Sequence, residues 1–303
     1  MQYVHFCLFL IYLYLKYSMP KSYLNTSQVA ELFKVDNSTV RRWTLSKKLR
    51  CMSSSGGHRK FSYKQILDFV NSNSTKMNLN LDIIAEVKNS ETKSDLIDFI
   101  VDNALNRNSA DIESLFVKLY LKGNKVSKIF DNYVELGLEK IQRLLDRQEI
   151  SVAEEHIARK TVSKALGYFG DIVSNDSKTK KTSLCLNIEN DIPDLAIDMI
   201  QIVLESINHS VYNSGSHTSI KNLRLLLSKN TYDSIYIYMC NRQCCSATVK
   251  DNLGSTIKSL EEIAVLSKKY SIDLFIGGPS TDLIDNKISF NYTKFNKFSE
   301  ILN

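Results

Sequence analysis

The stretch that most constrains this chain runs from Leu24 to Phe61, where capping residues, short apolar faces and basic residues alternate at a fixed spacing. Thr26 or Ser27 is placed to cap a first helix, because a Ser or Thr oxygen satisfies the free N–H groups of an opening turn. Val29, Ala30, Leu32 and Phe33 then share one apolar face, and the helix is expected to end near Lys34. Val35-Asp36-Asn37 is the turn. Ser38 or Asn37 is placed to cap a second helix carrying Thr39, Val40, Arg41, Arg42 and Trp43, with Val40, Trp43 and Leu49 as its core. Two capped helices joined by so short a turn form a helix-turn-helix, whose second helix enters the major groove of DNA. Ser53 to Gly57 is a turn-rich break, and His58-Arg59-Lys60-Phe61 returns from it as the strand of a basic wing. Ser62 caps a third helix through Ile66, Leu67, Phe69 and Val70.

Charge concentrates on the same segment. Between Met19 and Ser74 there are ten Lys and Arg residues against three acids (Glu31, Asp36, Asp68), a net of +7, while the whole 303-residue chain has a net of +6. The remainder is near neutral, so the positive field belongs to the one segment shaped to meet phosphates. The runs TSQVAELFKVDNSTVRRW and GGHRKF resemble the winged helix-turn-helix of MerR-type and excisionase-type proteins, over about fifty residues. That resemblance implies a recognition helix over Ser38–Ser46 with Thr39, Arg41 and Arg42 facing DNA. It also implies phosphate or minor-groove contacts from His58, Arg59 and Lys60. Lys47, Lys48 and Arg50 complete the expected DNA-binding set.

The length suggests two or three domains. The expected order is an apolar extension over 1–18, the winged helix-turn-helix over 19–75, a linker over 76–93, a helical bundle over 94–173 and a Rossmann-like domain over 182–303. The fold class is therefore multidomain, α and α/β. The extension lacks a basic leading region and a small-residue cleavage site, and it is shorter than a bilayer span. It is expected to be an upstream addition to a chain whose natural start is Met19-Pro20-Lys21-Ser22, a membrane anchor being the alternative. Six irregularly spaced cysteines argue for thiols in a reducing compartment rather than a disulfide framework.

From Ser94 onward, Leu96, Ile97, Ile100, Val101 and Leu105 recur at helical spacing, and similar runs continue to Phe169, giving a bundle of about four helices. Glu155-His156 enters the last of them. Such a pair serves as a general base, as a metal ligand, or as a solvated first turn capped by Ser151 with Glu154 at the third position. The run from Asp98 to Ala158 resembles the helical domain that covers the upper face of cobalamin in CarH-type light-dependent repressors and in cobalamin-dependent methionine synthase. The resemblance implies that Glu155 and His156 lie next to the cofactor's upper ligand. The family's Trp, ten positions before that Glu, falls here on Leu145.

After the polar linker 174–181, Ser183–Ile188, Ser234–Met239 and Ile272–Ile276 read as buried strands, and Leu195–Ile207 and Thr256–Lys269 as helices. That alternation gives a parallel sheet covered on both faces, with ligands beyond the carboxyl ends of the strands. The layout resembles the cobalamin-binding Rossmann-like domain. Its signature after the first strand, an acid followed by His and Gly, aligns on Glu189 to Asp194: the acid is Glu189, the axial His is replaced by Asp191, and the Gly by Asp194. A later Gly pair survives as Gly277 and Gly278. Carboxylate is a poor stand-in for imidazole on cobalt. Cobalamin is thus the one cofactor the resemblance implies, and tight binding in the family's usual manner is not expected.

The sequence holds no phosphate-cradling Gly-rich loop, no Ser/His/Asp arrangement and no metal motif of usable spacing. Cys240, Cys244 and Cys245 would need a fourth ligand to form a metal or redox site, and no metal site is expected. His209 and His217 read as surface residues near a strand end. The expectation is a cytoplasmic transcriptional regulator without enzymatic activity, binding double-stranded DNA as a homo-oligomer, dimer or tetramer, with no membrane association. A corrinoid carrier of the methyl-transfer kind and an excisionase-like architectural protein are the alternatives.

Overall fold

The computed structural model describes residues 23–73, 77–85, 92–174, 181–188, 195–215, 218–240 and 252–301. The expectations for 1–18, Glu189, Asp191, Asp194, His217, Cys244 and Cys245 lie outside these residues. The chain divides into two compact units, one of residues up to 89 with 110–118, the other of residues 90–109 and 119–303.

In the N-terminal unit, helix α1 (Thr26–Leu32) and helix α2 (Asn37–Leu45) flank a tight turn, and helix α3 (Tyr63–Ser72) closes the core. The cap of α1 is Asn25, one residue before the expected Thr26 or Ser27. Its side chain takes the Gln28 N–H while Gln28 reaches back to the Asn25 N–H, so a reciprocal amide pair replaces the hydroxyl cap. The turn depends on Lys34 in the left-handed region, with φ of 53°. The residue before α2 is Asp36, ahead of the expected cap at Asn37 or Ser38, which lie inside the helix, and it makes no side-chain cap bond. Phe33, which ends α1, Trp43 of α2 and Phe69 of α3 meet edge-on or tilted at centroid distances of 4.9–5.6 Å. Such aromatic contacts fix the helices' mutual angle as well as burying area. Strands β1 (Tyr23–Asn25), β2 (Met52–Ser53) and β3 (Arg59–Ser62) form an antiparallel sheet in the order β1-β3-β2. Strand β1 was not expected, because three residues are too few to display a period.

Residues 110–118 of helix α5 (Ser109–Leu121) also belong to this unit. The Tyr63 hydroxyl lies 3.3 Å from Ser114 Oγ. Lys118, only 1% exposed, donates from Nζ to Asp82 at 3.0 Å and to the Ala85 carbonyl at 3.4 Å, which compensates the burial of its charge.

In the C-terminal unit, helices α4 (Lys93–Leu105), α6 (Val126–Ile129), α7 (Glu135–Asp146) and α8 (Val152–Val173) form the helical part, and a π-turn over Phe130–Val134 joins α6 to α7. Ser151 and Glu154 make the expected reciprocal cap of α8. The α/β part is a five-stranded sheet in the order β5-β4-β6-β7-β8, built from β4 (Thr182–Leu186), β5 (Ser210–Asn213), β6 (Ser234–Tyr238), β7 (Asp273–Gly277) and β8 (Thr293–Phe295). Every pairing is parallel, so each strand returns by a crossover: three run through helices α9 (Leu195–Glu205), α10 (Ile220–Lys229) and α11 (Leu253–Tyr270), and the fourth, from β7 to β8, carries only a 3-10 turn at Thr281–Leu283. Strands β5 and β8 escaped the sequence reading because they are short edge strands of mixed polarity. Helix α9 is apolar nearly all round because it is buried on opposite sides, a Cβ on Gly170 of α8 coming within 3.0 Å of Ile202.

Candidate nucleic-acid interface

Helix α2 presents one solvent-facing strip. Ser38, Arg41, Arg42 and Leu45 are all exposed and follow the i, i+3, i+4, i+7 spacing of a single helical face. Val40 is fully buried on the opposite side, and Trp43 is held between Phe33 and Phe69. Thr39 is half-buried and lies to the side of the strip that carries the two arginines.

The turn after α2 fixes the next cations. Ser46 and Lys47 donate backbone N–H groups to the Arg42 and Thr44 carbonyls at 2.9 and 3.1 Å, and Lys47 takes a left-handed φ of 59°. Leu49, 1% exposed, anchors the loop, its N–H bonded to the Trp43 carbonyl at 3.1 Å. Lys47, Lys48 and Arg50 are thereby held in solvent beside a basin of about 340 Å³ that they line with Gln65, Asp68 and Ser72.

The wing places its three expected residues differently. His58 is exposed at the hairpin end, where its backbone closes on Ser54 at 2.9 Å beside Gly57, whose φ of 74° the turn requires. Lys60 faces outward, flanked across the sheet by Asn25 and Met52. Arg59 pairs with Ser53 and is half-buried on the side of Phe61, because successive strand residues alternate faces. His58, Arg59 and Lys60 are neighbours in sequence without forming one strip. Among the described residues, none of Arg41, Arg42, Lys47, Lys48, Arg50, Arg59 or Lys60 has an ion-pair partner.

The residues expected near a cobalamin can be tested against the C-terminal unit. Glu155 is fully buried and ion-paired with Arg159, one turn along α8; the solvated first turn expected of the pair holds for Glu154 and His156 and fails for Glu155. The other oxygen of Glu155, Oε2, accepts no hydrogen bond and lies 3.8 Å from Nε2 of the exposed His156. Gly277 leaves no opening for a ligand, since a Cβ there would run into the Phe295 ring. At Gly278, with φ of 97°, a Cβ would come within 2.5 Å of the Met239 carbonyl oxygen. Both glycines therefore serve close approach of the chain to itself.

At the carboxyl end of β6 the segment after β8 meets the helical part. Asp131 in the π-turn accepts from the N–H groups of Phe298 and Ser299 at 2.8 and 3.3 Å, and Phe298 lies parallel to Tyr238 at 6.2 Å and edge-on to Phe130 at 5.9 Å. The cavity left there is about 270 Å³, lined by Lys128, Asp131, Glu135, Glu139, Tyr238 and Phe298 among others. Neither Glu155 nor His156 lines it. Burial, reinforced by Glu139 and Asp131, pushes the Glu135 carboxyl up to about 7. Among the described residues expected to face the cofactor, Glu155 is held by Arg159 and Gly277 lies against Phe295.

Cys240 and Cys185 are both buried, and burial pushes the Cys185 thiol up. His209 is half-buried at the amino end of the sheet, its Nδ1 3.1 Å from Ser183 Oγ, rather than free on the surface. No helix among the described residues is long and apolar enough to cross a membrane.

Residues 23–74 match the family model described as a helix-turn-helix domain. No curated protein matches the chain. Among solved structures, it is similar to the monomethylamine corrinoid protein of Methanosarcina barkeri, with a TM-score of 0.53 and 14% identity over 69% of this chain and 96% of that one. It also matches a cobalamin-binding protein from Desulfitobacterium hafniense DCB-2, at TM-score 0.34 and 11% identity over 68% of this chain and 95% of that one. A third match is the methanol:cobalamin methyltransferase complex MtaBC of Methanosarcina barkeri, at TM-score 0.33 and 14% identity over 78% of this chain and 85% of that one. The chain therefore joins a helix-turn-helix domain to a fold like that of corrinoid proteins.

Proposed function

We propose that this chain is a sequence-specific DNA-binding regulator of transcription, in which the C-terminal unit pairs the DNA-binding modules and answers to a signal. The observation that carries the reading is the set of exposed cations on α2, the following turn and the wing, none with an ion-pair partner among the described residues. Cations left without internal partners are available to phosphates, and an exposed arginine pair on a helix-turn-helix second helix is placed to read base edges. One such module recognises few base pairs, so pairing two of them supplies affinity and specificity together. No catalytic step belongs to this reading.

The likeness to a corrinoid protein favours a second reading, that of a corrinoid carrier. The burial of Glu155 and the filling of the Gly277 cradle by Phe295 argue against it. Two measurements on the purified full chain separate the readings. Selection from a random duplex pool is expected to enrich one sequence, bound with an affinity that falls steeply with salt. Incubation with adenosylcobalamin followed by desalting, in darkness and after light, is expected to leave no corrinoid absorbance. Retained absorbance with no enriched sequence would replace the regulator by the carrier.

A further inference from the structure

We infer that Leu45 reads the operator through the C5 methyl group of a thymine. The inference rests on the DNA-binding reading above and extends it to a residue that charge does not reveal. Leu45 is 75% exposed, more than any other large apolar side chain among the described residues. A lone surface leucine needs no explanation, but this one closes the strip formed by Ser38, Arg41 and Arg42, and the exposed Lys47 and Lys48 follow it after Ser46. A second copy of the chain, or another protein, would have to cover those cations together with the leucine. The partner that fits is anionic along its rims and apolar at one point between them. The major groove of DNA meets both demands, since phosphates line its walls and the thymine methyl is the apolar group that its base edges display.

Geometry narrows the position. Leu45 lies four residues beyond Arg41, an advance of about 6 Å along the helix axis. That is close to two base-pair steps of about 3.4 Å each. The thymine is therefore expected about two base pairs from the base contacted by Arg41.

The test uses the full chain and its selected duplex, with each thymine replaced in turn by deoxyuridine, which removes the C5 methyl and nothing else. At one thymine per half-site the wild-type protein is expected to lose about fourfold in affinity, the equivalent of one methyl group withdrawn from contact. Leu45→Ala is expected to bind thymine and deoxyuridine sites alike, with an unchanged unfolding transition followed by Trp43 fluorescence. Wild-type affinity indifferent to every replacement overturns the inference and leaves DNA binding standing, as does a Leu45→Ala protein that still discriminates. A change of oligomeric state in DNA-free Leu45→Ala assigns the leucine to a protein interface and also overturns it. A selection that enriches no sequence removes this inference together with the function on which it rests.

Discussion

Among the described residues, the cations of α2, its following turn and the wing have no acidic partner, and all but the half-buried Arg59 stand in solvent, whereas in the C-terminal unit Lys140, Arg159, Arg224 and Lys294 are each tied to a carboxylate. The difference separates charges that serve the fold from charges left for an outside partner. Lys118 marks the boundary between the two uses, because among the described residues of the N-terminal unit it is the buried cation, and it is paired with Asp82. The same contrast holds for special residues. Gly57 permits the hairpin that carries the wing, while Gly277 and Gly278 let the C-terminal unit pack against itself.

Substitutions can break this contrast directly. Replacing Arg41 and Arg42 together by Ala is expected to lower affinity for the selected site by about 2–6 kcal/mol, from the loss of two base-edge contacts. The thermal transition should stay within about 0.5 kcal/mol of wild type, as for surface changes generally. Retained site affinity in that double variant, measured by titration, would remove the recognition role from α2. The opposite pattern is expected for Arg159→Ala, which leaves the buried Glu155 carboxylate unpaired. Its cost is about 3–5 kcal/mol of stability, read by circular dichroism, with DNA affinity unchanged wherever the protein is folded.

A smaller effect follows from Gly278→Ala, where the left-handed backbone and the Met239 carbonyl leave no room for a methyl group. About 1–3 kcal/mol of stability should be lost from the C-terminal unit. Trp43, the chain's single Trp, lies in the N-terminal unit and reports on that unit separately.

The weakest contrast is in pH. Burial pushes the Glu113 carboxyl from an ordinary 4.5 up to about 7, and Glu135 is raised to a similar value in the other unit. Between those two values the folded state keeps a proton that the unfolded chain has released, so stability falls as pH rises from about 4.5 through 7. Glu113→Gln should flatten that dependence in the Trp43-reported transition, and Glu135→Gln only in the transition of the C-terminal unit. Identical pH profiles for wild type and Glu113→Gln would show that this carboxyl is hydrated in the folded protein.

Much of the N-terminal unit was legible because its signals are local: an apolar face at helical spacing, a short turn, and glycines before a basic strand. The cap at Asn25 was missed by one residue, since an Asn–Gln pair carries the same hydrogen bonds as the hydroxyl cap. The Leu45 position was also legible, as the i+7 partner of Ser38, but an apolar residue among basic ones draws no attention from charge. The wing was harder. His58, Arg59 and Lys60 read as one basic run, and only the strand's pleat sends Arg59 and Lys60 to opposite faces.

By itself the sequence determined what depends on neighbours a few residues apart: the helix-turn-helix, the concentration of positive charge upon it, the alternation of strands and helices, and the cap at Ser151. Tertiary structure alone decided what depends on residues far apart. Glu155 and Arg159 stand one helical turn from each other in any helix, but only packing takes that carboxylate wholly out of water and makes the pair part of the core. Gly277 looks the same in sequence whether a ligand or a side chain lies above it, and the position of Phe295, set by the fifth strand of the sheet, fills that space. Spacing along the chain fixes which residues share a face; burial depends on what the rest of the chain brings against it.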